Sequence, residues 1–228
     1  MSEAWFVCGT DTEIGKTFAT CALLHAVRAG GRSAVGMKPV AAGAQVVDGV
    51  LLNEDAARLR AAGSFDPGLA DLNPYCLKHP VAPHIAAAED GASIEPESIQ
   101  AALTRLRARA EVVIVEGVGG FRVPLGEDWD SADLAVELAL PVILVVGMRL
   151  GCINHALLTC EAIATRGLPL AGWIANHIDP EMASFEANLL ALSRRIPAPL
   201  LGTLPYQRDP DPAFAARHLR LPEPPPAA

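Results

Sequence analysis

Short apolar runs without polar alternation recur along the chain at residues 4–8, 33–37, 112–115, 142–146, 171–175 and 200–204. A strand with one face in water alternates apolar and polar residues. Runs that stay apolar predict strands buried on both faces. Between them, apolar residues at helical spacing predict helices over 15–29, 53–61, 95–110, 131–138, 153–166 and 180–195. Strand and helix alternate almost throughout, which predicts an α/β fold: a doubly wound, mostly parallel sheet flanked by helices. Ligands of such sheets bind beyond the carboxyl ends of the strands, so the loops there are where chemistry is sought.

The loop after the first run reads Gly9-Thr-Asp-Thr-Glu-Ile-Gly-Lys-Thr17. Set between a strand and a helix, it has the character of a phosphate-binding P-loop. Gly15 lets the backbone approach a phosphate, and the helix that follows adds the positive end of its dipole. Lys16 is placed to meet the outer phosphates and Thr17 to hold Mg²⁺. Five residues separate Gly9 from Gly15, one more than the usual spacing.

Five further strand ends carry candidate residues. Lys38 follows the second run and is fixed by Pro39, so it is placed to face a bound anion. Asp55, near the start of the next helix, is either a helix-dipole partner or a metal-directed carboxylate. After 112–115 comes Glu116-Gly117-Val118-Gly119-Gly120: four apolar residues and then an acid, as in a Walker B strand, with glycines that leave room for a ligand. The turn containing Gly151, Cys152 and Asn154 opens a helix whose N–H groups suit an anion. Asn176 and His177 end the fifth run, with Asp179 expected to cap the helix after Pro180. Pro205 and Tyr206 follow the sixth, near where a base would lie.

Composition narrows the class. The chain has 228 residues, 51% hydrophobic, with 26 acidic against 18 basic residues and a net charge of −8. No basic run offsets that balance, so neither nucleic acid nor an anionic membrane is expected as a partner. No stretch is long and apolar enough for a bilayer, and the charged opening predicts no secretory signal. Five scattered cysteines without C-x-x-C spacing predict a reduced, cytoplasmic protein. No catalytic thiol is expected, and His79 and His84 lack metal-ligand spacing. One domain is expected over 1–220, with a disordered Pro-rich tail at 221–228. The Pro-rich stretch 64–91 breaks the alternation and reads as a functional or oligomeric insertion.

Taken together, these motifs resemble dethiobiotin synthetase, within the P-loop NTPase superfamily. The resemblance runs from Trp5 to about Tyr206 and rests on the stretched P-loop, Lys38-Pro39-Val40, Asn53 to Asp55, Asn73-Pro74-Tyr75, Glu116 to Gly120, Leu150 to His155 and Pro197 to Gly202. The extra loop residue belongs to that family's version of the motif. The resemblance implies that 7,8-diaminononanoate captures CO₂ as a carbamate, that ATP phosphorylates the carbamate, and that the second amine closes a urea ring. It implies catalytic roles for Thr12, Lys16 and Lys38, and Mg²⁺ ligation by Thr17, Asp55 and Glu116. ATP would be lined by Glu13, Ile14, Gly15, Lys16, Thr17, Phe18, Asp55, Glu116, Gly117, Val118, Gly119, Asn176, His177, Pro205 and Tyr206. The diamine would meet Thr12, Lys38, Ala42, Gly151, Cys152 and Asn154, the last three from the partner in a homodimer.

Ala42 departs from the family pattern, which has a hydroxyl at that position. The loss of one substrate hydrogen bond corresponds to about 1 kcal/mol. Arg149 and Tyr206 stand where some relatives have Lys and Trp. The rival readings are a P-loop partitioning or switch ATPase, which would carry a second lysine early in the loop, and a GTPase reading a base through Asn176 and Asp179, whose motif has Lys where this chain has His177. A carboxylate-activating amidotransferase would need a glutaminase region that this chain lacks.

Overall fold

The computed structural model describes residues 2–223; the last five residues of the expected tail, 224–228, lie outside the described residues. Six strands form one parallel sheet: β1 (Glu3–Gly9), β2 (Ala34–Met37), β7 (Val112–Glu116), β8 (Val142–Met148), β9 (Leu170–His177) and β10 (Leu200–Leu204). Their order is β10-β9-β8-β1-β7-β2, with every pair parallel. The expected doubly wound sheet is present, and all six runs are strands.

Both faces of the sheet are dry. In β1, Ala4, Phe6 and Cys8 enter one core while Trp5 and Val7 enter the other. The first face is covered by α4 (Pro83–Glu89), α5 (Pro96–Arg107), α6 (Ser131–Leu138), α7 (Cys152–Thr165) and α8 (Phe185–Ser193). The second is covered by α1 (Lys16–Ala29), α2 (Glu54–Ala62), α3 (Leu69–Leu72) and α9 (Pro212–Ala215). Trp5, Trp173, Phe6 and Leu24 are fully buried. Each contributes roughly 1.5–3 kcal/mol of transfer free energy, which is why a strand period of two is invisible in the sequence.

Both edges of the sheet are covered. Along β2, Ser64 N–H donates to Ala34 O at 2.7 Å, Ser64 Oγ accepts from Ala34 N–H, and Lys38 N–H donates to Leu72 O at 2.7 Å. Along β10, Arg220 donates from its backbone to Leu201 O and from its guanidinium to Leu200 O.

Three expectations need correction. The helix expected over 180–195 is α8, which starts only at Phe185: Asp179 accepts from Glu181 N–H in a turn, and Ser184 holds a left-handed φ of 56°. Asp179 therefore does not cap it. The runs at 142–146 and 171–175 continue as strands to Met148 and His177, so Asn176 lies in the sheet rather than in a loop. A hairpin of β4 (Gln45–Val47) and β5 (Val50–Leu52) and a pair of β3 (Val40–Ala41) with β6 (Tyr75–Cys76) were not expected. The hairpin turns on Asp48-Gly49, both at positive φ, which is the chemistry of a two-residue type I′ turn.

Candidate active site

Strand β1 lies between β7 and β8, and the chain passes from one side of it to the other at this point. The crevice of a doubly wound sheet opens there, and the loop after β1 is the Gly9–Thr17 loop. Gly15 has φ +81°, and a Cβ on it would lie 2.1 Å from Asn176 Nδ2. Only glycine fits. Asn176 Nδ2 donates to Ile14 O at 2.8 Å, so this buried side chain holds the phosphate loop from below. Glu13 is also left-handed, at φ 57°. Helix α1 starts without a side-chain cap and without an acid in its first turn, which leaves its dipole to an external anion. Phe18, next in that turn, is half-buried against the second core.

The residues expected to carry charge converge. Lys38 leaves β2 with its Nζ 2.6 Å from Glu116 Oε1, 3.0 Å from Asp55 Oδ2 and 3.3 Å from Gly117 O. Thr17 Oγ1 donates to the same Glu116 oxygen at 2.7 Å. Burial opposes the Lys38 charge, but Glu116 and Asp55 outweigh it and hold its pKa above the ordinary value. Burial likewise works against the Asp55 carboxylate, yet Lys38 and a Thr17 hydrogen bond bring its pKa down. Asp55 owes its place to Asn53, which accepts from Asp55 N–H and donates to Ala42 O. Asp55 sits in the first turn of α2, and its carboxylate points to Lys38.

Lys16 lies close by. Its Nζ donates to Asp11 O at 2.9 Å, and burial, then the nearby Lys38, push its pKa down to about 8. Burial raises Cys8 and Cys21 to about 12 and Cys160 to about 11, so these three thiols are not primed.

A divalent ion suits this donor set. Two carboxylates converge on one ammonium, the Thr17 hydroxyl donates to one of them, and Glu116 Oε2 is buried with no hydrogen-bond partner. Among the described residues there is no cluster of three or more His, Cys, Asp and Glu that forms a complete metal cage.

The loop after β7 faces the phosphate loop. A Cβ on Gly119, at φ +60°, would come within 3.5 Å of Thr12 Oγ1, and Gly117 N–H donates to Val7 O. Val118 packs on the first core. Ala42 contributes its carbonyl, to Asn53, but no hydroxyl.

The turn after β8 faces outward. Gly151, at φ +93°, and Asn154 are exposed, and Leu150 is 96% exposed. Cys152 does not present its thiol there; the side chain is buried and its N–H donates to Arg149 O. His177 packs its ring on Phe185, 4.2 Å between centroids, with Nε2 buried and unpartnered. Pro205 and Tyr206 leave β10 at the far side, with the Tyr206 ring 46% exposed.

Asn73 and Arg149 enter the site unforeseen. Asn73 Nδ2 donates to Lys38 O at 2.6 Å, fixing the end of the strand that carries the lysine. Its signal was an Asn before Pro in the insertion. Arg149 pairs with Asp11 at 2.6 Å.

Fold and loop geometry define a P-loop nucleotide-binding α/β protein. The sheet matches solved structures of that kind at the level of fold. The cell division protein MinD of Aquifex aeolicus has a TM-score of 0.55 and 13% identity, over 91% of this chain and 84% of its own. The cell division protein FtsY of Thermotoga maritima has a TM-score of 0.56 and 15% identity, over 95% and 68%. A family model described as an AAA domain matches residues 3–213. Closer relatives are ATP-dependent dethiobiotin synthetases: that of Aromatoleum aromaticum is 72% identical over 96% of this chain and 98% of its own. Those of Xanthomonas campestris pv. campestris and Nitrosospira multiformis are each 53% identical, over 96% and 92% of this chain and 98% and 92% of their own. The chain belongs to the ATP-dependent dethiobiotin synthetase family.

Proposed function

We propose that the chain is an ATP-dependent cyclo-ligase that converts 7,8-diaminononanoate, CO₂ and ATP to dethiobiotin, the penultimate step of biotin synthesis. The observation that carries this reading is the buried Lys38–Glu116–Asp55–Thr17 cluster set directly beside the phosphate loop. A switch ATPase needs a phosphate sensor there, whereas an ammonium held among carboxylates serves a reaction in which a second anion must meet a phosphoryl group.

In this mechanism the amine of the diamine adds CO₂ to form a carbamate. The carbamate oxygen attacks the γ-phosphoryl of ATP, ADP leaves, and the second amine displaces phosphate as the ring closes. Lys38 neutralises the carbamate and the transferring phosphoryl, Lys16 turns from Asp11 O to the outer phosphates, and Thr12 faces the substrate. Thr17, Asp55 and Glu116 would hold Mg²⁺, which would supply charge neutralisation of the phosphates. No covalent nucleophile takes part, so the rate gain comes from positioning and electrostatics. Asn176 supports the phosphate loop and, with His177, Pro205 and Tyr206, borders the adenine side.

The exposed Leu150, with Leu158 at 57%, supports a homodimer in which Gly151 and Asn154 of one subunit meet the substrate carboxylate of the other. No helix among the described residues is long and apolar enough to cross a membrane, and the five cysteines are free. Both facts fit work in a reducing cytoplasm. The test is formation of ureido product from diaminononanoate, bicarbonate and MgATP, with GTP and dicarboxylates as controls. One ADP and one phosphate released per product is expected. ATP turnover without need of the diamine would favour the switch reading instead.

A further inference from the structure

We propose that the Asp11–Arg149 ion pair is a positioning device that sets the phosphate loop against the turn carrying Gly151 and Asn154. The proposal deepens the ligase reading and rests on it for the substrate named. Strands β1 and β8 are neighbours, and Thr10 N–H donates to Val145 O at 3.1 Å, so both loops leave the sheet side by side. Asp11 then uses every acceptor it has. Its Oδ1 accepts from Thr12 N–H at 2.8 Å, its Oδ2 from Arg149 Nη2 at 2.6 Å, and its carbonyl from Lys16 Nζ at 2.9 Å. Arg149 closes the path on the other side, since its carbonyl accepts from Cys152 N–H in the first turn of α7. One continuous chain of polar contacts thus joins the catalytic lysine to the turn assigned to the substrate carboxylate.

The pair is not there for stability. Its side chains are 43% and 45% exposed, and exposed pairs contribute little to folding. What it fixes is geometry, and small displacements of reacting groups cost much in rate. When nucleotide phosphates draw Lys16 away from Asp11 O, the arginine still holds the loop in register with its neighbour.

The test uses Asp11→Asn, Arg149→Met, the double variant and Arg149→Lys in the full-length protein. Each single variant should raise KM for ATP and for the diamine on the order of tenfold, within the usual range of coupling between sites. The double variant should be no worse than either single one, and Arg149→Lys should recover most of the loss because lysine reaches the same carboxylate. Thermal midpoints should stay at the wild-type value. Calorimetric affinity for a non-hydrolysable ATP analogue with Mg²⁺ should fall in parallel, a readout that does not depend on the ureido reaction. Crippled Arg149→Met beside a normal Asp11→Asn would overturn the proposal, as would additive losses or unchanged analogue affinity. Failure of the ligase reading is separate: the wild type itself would then make no ureido product.

Discussion

Replacing Lys38 by Met removes one positive charge from a site where Glu116 is fully buried and Lys38 itself is 3% exposed. The methionine fills nearly the same volume, so the change is electrostatic rather than steric. Left behind is a carboxylate whose remaining donor is the Thr17 hydroxyl and whose nearest cation is Lys16, whose own charge is already disfavoured by burial. An uncompensated buried charge costs about 3–5 kcal/mol. Partial screening by Lys16 and the 38% exposure of the Asp55 side chain favour the lower end. A loss of about 3 kcal/mol lowers the melting temperature by roughly 6–12 °C in a chain of this size. Because a divalent cation replaces the missing charge, Mg²⁺ should stabilise the variant more than the wild type, where it must compete with the ammonium. A double variant with Glu116→Gln should regain part of the loss, since both charges are then gone. Turnover should fall by at least about 100-fold while nucleotide still binds, as for loss of one donor to a developing charge. Urea or thermal unfolding with and without Mg²⁺, run beside the product assay, checks all four outcomes. A melting temperature within about 2 °C of wild type in the absence of metal would refute the reading that this pair is electrostatically essential to the fold.

Three other perturbations follow from the geometry. Gly15→Ala forces a left-handed φ on a residue with a side chain and displaces the Asn176 amide, for a cost of about 2–4 kcal/mol; nucleotide affinity by calorimetry should collapse, and near-normal affinity would contradict the close contact. Asp130→Ala removes the cap of α6, whose Oδ1 accepts from Ala132 and Asp133 N–H groups, at about 1–2 kcal/mol near neutral pH. Burial raises the Asp130 pKa, but Arg122 and these N–H groups lower it further. The group's stabilisation is thus present above the unfolded carboxyl value and is lost as pH falls through the folded one. The gap between variant and wild type should therefore shrink below about pH 4, and a constant gap in unfolding experiments would argue against a charged cap. Leu150→Asp, at a residue 96% exposed, should halve the molar mass seen by light scattering while leaving nucleotide affinity intact; an unchanged mass would remove that turn from the interface.

Much of the sheet was legible because a strand buried on both faces has to be apolar throughout, so 4–8 and 112–115 stand out in any reading of the chain. The same property hides strand ends. Met148 and Asn176 continue β8 and β9 because their neighbours extend, and nothing in their own residues says so. The helix at 180–195 was overdrawn, since Pro180 and the left-handed Ser184 delay it to Phe185. In the site, residue types and strand ends pointed to Thr17, Lys38, Asp55 and Glu116. Their contact spans 78 and 99 residues of sequence and depends on β7 lying between β1 and β2, which spacing cannot supply. Asn176 carries a contact that its place in the sequence does not announce, the bond from its amide to the Ile14 carbonyl. Arg149 was seen only as a side chain differing from some relatives, because an ion pair across 138 residues leaves no local trace.

The segment that covers the β2 edge has a second duty. Ser64 and Leu72 take the outward hydrogen-bonding groups at the two ends of that strand, and Asn73 grips the carbonyl of Lys38. At the other edge Arg220 does the same for β10. Pairing of two copies sheet edge to sheet edge is hindered at both edges, which favours helices and turns for that purpose. Nor can the stretch between α2 and β6 be trimmed without a double consequence. A chain shortened there would bare a strand template for other chains and loosen its catalytic lysine at once, so it would be lost to precipitation before its lowered turnover was ever felt.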